Sequence, residues 1–105
     1  MSMLIKDPSS YRNLDACTAH ITKQDSKLLD NRDCPLAVHN TDYGWLVYCG
    51  SDSDKNVRDG LKWFGFSLAF IELFMYARRE GYKWLDLDCD GWVYEELPKF
   101  EWEKQ

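Results

Sequence analysis

Between Trp84 and Gly91 the chain reads WLDLDCDG, with apolar residues and aspartates taking turns. Successive side chains on an extended strand point to opposite faces. A strand over residues 82–89 therefore puts Leu85, Leu87 and Cys89 on one face. Trp84, Asp86, Asp88 and Asp90 fall on the other. Burying three carboxylates without counter-charges is prohibitively costly. The leucine face belongs against a core, and the aspartate face must meet water or a partner. That requires a sheet with one covered face and one open face.

The remaining segments supply such a sheet. LDACTAHI (14–21) reads as a first strand. TKQDSKLLDN (22–31) opens with Thr22 and has Asp25 three residues on, which predicts a short helix capped at Thr22. LAVHN (36–40) and WLVYC (45–49) flank the turn TDYG, where Gly44 is free to take positive φ, and predict a hairpin. The polar stretch GSDSDKNVRDG (50–60) reads as a surface loop. Leu68, Ile71, Phe74 and Met75 follow helical spacing between a capping Ser67 and Glu80-Gly81, while Gly60 and Gly65 leave open whether helix also covers Val57 to Phe66. The resulting β-α-β-β-α-β order predicts an α+β domain of ferredoxin-like order, a four-stranded antiparallel sheet with two helices on one face. Residues 1–13 read as a loose lead-in, and 14–105 as a single domain.

Charge and cysteine usage narrow the functional classes. The net charge is −5, and residues 82–105 hold seven acidic and three basic side chains. Direct binding to a nucleic-acid backbone needs clustered Lys and Arg, so the acidic end argues against it and favours a basic partner. No apolar run reaches the roughly 18 residues of a membrane span. The start MSMLIKDPSSYR has neither the basic flank nor the apolar stretch of a signal peptide, so a cytoplasmic location is expected. Cys17, Cys34, Cys49 and Cys89 form no C-x-x-C pair and read as free, mostly buried thiols. Zinc ligands usually come in tight local pairs, which His20 and His39 with these cysteines do not make. Each histidine reads instead as a buried imidazole bonded to backbone.

The aspartates admit three chemistries. Asp86, Asp88, Asp90 and Gly91 match the opening of a calcium loop. The bidentate glutamate required at its twelfth position is Leu97, with Glu96 and Glu95 falling short of it. Asp86 and Asp88 on one strand face stand about 6.8 Å apart, a spacing that suits two-carboxylate catalysis or Mg²⁺. No phosphate-binding loop, nucleophile elbow or zinc-protease motif accompanies them. A metal-dependent (Mg or Ca) enzyme or metal-binding domain using Asp86, Asp88 and Asp90 stands as the alternative. The third chemistry is recognition of a basic protein surface. Asp86, Asp88, Asp90, Glu95 and Glu96 would supply the charge, with Trp84 and Trp92 as anchors. This reading needs no catalytic residue, metal or cofactor. Self-association into a homodimer through the open sheet face is a further possibility.

Four stretches, ACTAHIT, YGWLVYCG, GYKWLDLDCDG and LPKFEW, resemble a family of small domains of unknown function. Its members are encoded on proteobacterial plasmids and other mobile elements. The likeness spans residues 14–102 and is most specific at Thr18–Ile21, Tyr43–Trp45, Leu87–Gly91 and Leu97-Pro98. The resemblance implies a bacterial cytosol and an accessory gene. Such genes often encode inhibitors of host defence, of the antirestriction or anti-CRISPR type. It supplies no catalytic residues.

Overall fold

The computed structural model of the chain describes residues 13–50 and 53–102. All but the last residue of the expected lead-in, and residues 51–52 and 103–105 of the expected domain, lie outside these. The elements are β1 (Asn13–Cys17), a 3₁₀ turn (Thr18–His20), α1 (Lys23–Leu29), β2 (Val38–Thr41) and β3 (Gly44–Tyr48). They continue with α2 (Asp54–Phe64), α3 (Leu68–Arg79) and β4 (Trp84–Asp88). One four-stranded sheet has the order β1-β4-β3-β2.

The α+β class and the four strands are as expected, but the sheet is mixed. β4 runs antiparallel to β3, and β3 antiparallel to β2, whereas β1 pairs with β4 in parallel. The cause is a third helix. A single helix between β3 and β4 would return the chain parallel to β3, as in a β-α-β unit. The two successive helices α2 and α3 return it antiparallel, in the direction of β1. The expected antiparallel sheet with two helices is corrected accordingly. The surface loop read over 50–60 is also corrected, because α2 begins at Asp54. Ser53 caps it by accepting the Asn56 N–H, and a Lys55–Asp59 pair at 2.9 Å lies one turn apart on its exposed side. Its polar composition and Gly60 hid it.

Leu14 and Ala16 of β1 stand beside Leu85 and Leu87 of β4, and Leu85 pairs with Val47 of β3. All five are buried in one cluster with Leu29 of α1, Leu61 of α2, and Phe70, Ile71, Leu73 and Phe74 of α3. The helices thus cover one face of the sheet. Phe66, Phe70 and Phe74 stack in series, with ring centroids 4.4 and 5.9 Å apart. Each fully buried aromatic contributes about 1.5–3 kcal/mol. Gly44 does not take positive φ. It is required for close approach, because a Cβ there would lie 1.8 Å from the Leu87 carbonyl oxygen. Among the described residues no helix is long and apolar enough to cross a membrane.

One buried charge ties two helix starts together. Asp25 is fully buried and closes the capping box with Thr22. Its carboxylate accepts the Thr22 N–H at 2.9 Å, the Ser67 N–H at 2.8 Å and the Ser67 hydroxyl at 2.6 Å. Ser67 in turn caps α3 by accepting the Phe70 N–H. Three donors and two helix N-termini replace the water that the carboxylate gave up. Asp25→Ala strands these donors and is expected to cost about 3–5 kcal/mol in urea denaturation. A loss below about 1 kcal/mol would show that α1 and α3 do not depend on this clasp.

Candidate binding site: an acidic and aromatic sheet face

The strand parity of β4 holds in the structure. Leu85 and Leu87 are buried, and Trp84, Asp86 and Asp88 are half-buried on the uncovered side. Residues paired across a ladder share a face, so the register extends this surface onto the neighbouring strands. Asp86 stands beside Asp15 of β1 and Leu46 of β3, and Trp84 beside Tyr48. Neighbouring strands are about 4.8 Å apart, so Asp15, Asp86 and Asp88 form a compact acidic corner. Next to it lies an aromatic cluster. The Trp84 and Tyr48 rings meet edge to face at 5.2 Å, and His39 of β2 lies 5.8 Å from Trp84.

Among the described residues the acidic corner has no neutralising ion pair, since none includes Asp15, Asp86 or Asp88. Asp15 accepts the Trp92 N–H at 3.2 Å, and Asp88 accepts the Asp90 N–H at 2.8 Å. Asp86 has no such bond among the described residues. Its own partial burial, then the neighbouring Asp15 and Asp88 carboxylates, raise its pKa above the ordinary 3.8.

The tail takes a different course from the aspartates. The strand ends at Asp88, and Asp90 sits in the following turn rather than on the strand face. Gly91 then passes so close to β1 that a Cβ would lie 2.6 Å from the Ala16 carbonyl oxygen. From there the chain seals the outer edge of β1 and its extension. The Trp92 carbonyl accepts the Cys17 N–H at 2.9 Å. The Tyr94 hydroxyl donates to the Asp15 carbonyl, the Phe100 N–H to that of Ala19, and the Trp102 indole to that of Ile21, all at 2.7–2.9 Å. His20 holds the centre. Buried, it lies with Nδ1 2.8 Å from the Pro98 carbonyl oxygen, and its Nε2 accepts the Tyr94 N–H at 2.9 Å. These partners fix the neutral tautomer with its proton on Nδ1.

The seven sequence-derived residues thus divide. Trp84, Asp86 and Asp88 lie together on the open face. Trp92, 65 % exposed, lies at its margin beside β1, and Asp90 in the turn. Glu95 is exposed on the tail, 4.0 Å from Lys99. Glu96 borders a groove with Tyr76 and Arg79 of α3, on the helix side. Asp15, Tyr48, Leu46 and His39 complete the face and were not singled out from sequence. The alternation NLDAC (13–17) marks Asp15 as opposite in parity to Leu14 and Ala16. Only the strand pairing brings it to Asp86.

Metal ligation has narrow support. Asp88, Cys89 and Asp90 offer ligand atoms within 4.8 Å of one another. Loss of solvation, then Asp90 and Asp88, raise the Cys89 thiol above its ordinary value, and a sulfur ligand does not suit Mg²⁺ or Ca²⁺. Two carboxylates remain, against the six to eight oxygens calcium takes. His20 has both ring nitrogens engaged with backbone and is closed to zinc.

The raised Asp86 pKa sets a pH dependence. An acid whose pKa rises on folding stabilises the fold in its protonated form. That contribution is complete below the unfolded value and is lost as pH rises through the folded value. Asp86→Asn is therefore expected to raise Tm near pH 7, with the gain disappearing toward about pH 3. Thermal melts showing no gain near neutrality, or an equal gain in acid, would contradict the crowding of these carboxylates.

No curated protein and no solved structure matches the chain. A family model does match, over residues 13–102, with the description "Family of unknown function (DUF5983) C-terminal domain". The matched stretch runs from the first residue of β1 through the edge-sealing tail to Trp102, and by it the chain belongs to the DUF5983 family of unknown function.

Proposed function

We propose that the chain is a non-enzymatic binding protein whose open sheet face engages a basic surface on a protein partner. The observation that carries this reading is the acidic corner of Asp15, Asp86 and Asp88, without an ion-pair partner among the described residues, beside the Trp84–Tyr48 cluster. Like charges at this spacing repel by on the order of 1 kcal/mol per pair even in water, and by more as solvent is withdrawn. An arriving Lys or Arg reverses the sign of that term. The indole of Trp84 offers such a cation a face for stacking, and Tyr48 and Leu46 add apolar area. A self-paired homodimer through this face would oppose two acidic corners, which disfavours it.

Regularly spaced carboxylates also fit sites built for nucleic-acid phosphates. The partner class we favour is therefore a nucleic-acid-binding protein. The resemblance to mobile-element domains adds the bacterial cytoplasm as location and inhibition of a host-defence complex as role. Neither is carried by geometry. A second reading is a Mg²⁺ or Ca²⁺ site on the Asp88 and Asp90 carboxylates, which lie within 4.8 Å of each other. Calorimetric titration decides it, through heat of binding and a raised Tm with either ion.

The test of the main reading is charge reversal. A partner is recovered from the native host by affinity capture, purified, and its affinity measured. Asp86→Lys combined with Asp88→Lys is expected to weaken binding by at least about 100-fold while the fold survives. Unchanged affinity ends the proposal. An equal loss with Glu95→Lys and Glu96→Lys alone moves the site to the tail and also overturns it.

A further inference from the structure

A second feature lies on the helix side of the sheet, away from the acidic face. A cavity of about 390 Å³ opens between the approach to β2, the end of β3, and helices α2 and α3. Small-molecule sites span roughly 300–1,000 Å³ and combine apolar walls with a few fixed polar groups. Here Pro35, Leu36, Val57, Leu61 and Phe74 supply the walls, and Arg78 the polar group.

Arg78 is held in a definite pose. Its side chain is only 7 % exposed, and its Nη1 donates to the Cys49 carbonyl. Its Nε and Nη2 donate to one oxygen of Asp54 at 3.2 and 3.1 Å. Asp54 is 72 % exposed. A sheltered guanidinium is thus paired with a carboxylate at the rim, and another anion that reaches Arg78 can take that carboxylate's place while the carboxylate turns to water.

Gly60 is the independent sign. It lies within α2 and lines the cavity, although glycine is among the poorest residues for a helix interior. Its φ is not positive, and a Cβ there would meet nothing within 4 Å. Neither backbone nor packing requires glycine at this position, and its effect is to leave the space empty.

We infer that this cavity binds a small amphipathic anion, with its carboxylate-like head on Arg78 in place of Asp54 and its apolar body against Leu36 and Val57. The Cys49 thiol in the wall is pushed up to about 11, chiefly by burial, so it stays neutral and does not repel the head. The inference is independent of the acidic face.

Octanoate serves as probe and octanol as its uncharged counterpart, with binding followed by calorimetry and Tm. Octanoate is expected to saturate and raise Tm, and octanol to bind at least about tenfold more weakly. Asp54→Asn is expected to tighten octanoate binding by removing its competitor. Gly60→Leu fills the space and is expected to abolish binding without lowering Tm, and Gly60→Ala, the gentler change, to weaken it. Absence of saturable octanoate binding, equal binding of octanol, or unchanged affinity in a folded Gly60 variant each overturns the inference.

Discussion

The imidazole of His20 holds the C-terminal tail through both of its nitrogens, and with the tail's bonds to β1 it keeps that segment at the sheet edge. Nδ1 binds the Pro98 carbonyl and Nε2 the Tyr94 N–H, so one side chain fixes two points of a segment more than seventy residues away. Between and beyond these points the tail satisfies the backbone along the outer edge of β1. Trp102 then packs on Trp45, with ring centroids 6.3 Å apart. An unpaired edge strand invites association with other chains, and here the chain's own tail closes it. The aromatics of the tail serve largely at this edge. Among the described residues no helix covers the sheet face carrying Asp86.

Two aspartates show how differently the fold treats the same group. Asp25 is fully buried, yet three short hydrogen bonds and two helix starts satisfy it, and it organises α1 and α3. Asp86 is only half-buried, accepts no hydrogen bond among the described residues, and is crowded by two more carboxylates. The first is a structural charge at rest. The second carries a standing electrostatic cost. Parallel pairing of β1 with β4 creates that crowding by bringing Asp15 opposite Asp86. The pairing follows in turn from the two helices between β3 and β4.

Local rules made part of this legible in the sequence. The alternation Leu85-Asp86-Leu87-Asp88 specified both strand and parity, Thr22 and Asp25 a capping box, and Ser67 with Glu80-Gly81 the limits of α3. Features that depend on distant partners were not legible. The direction of β1 relative to β4 is decided by the intervening helices, one of which was masked by its polarity and Gly60. Asp15, Tyr48 and His39 join the face only through register. Gly44 was read as a turn glycine, whereas its constraint is a carbonyl on the neighbouring strand. The tail's course rests on bonds to β1 and to the turn after it that no local pattern announces.

Whether the uncovered face, rather than the acidic tail, receives a basic partner is open to direct measurement. Isotopically labelled protein can be titrated with a peptide rich in lysine and arginine while amide and indole resonances are followed. The perturbations are expected to gather at Asp15, Tyr48, Trp84 with its indole, Asp86 and Asp88, and to fade with added salt. Shifts confined to Glu95, Glu96 and Glu101, with the sheet face silent, would contradict it.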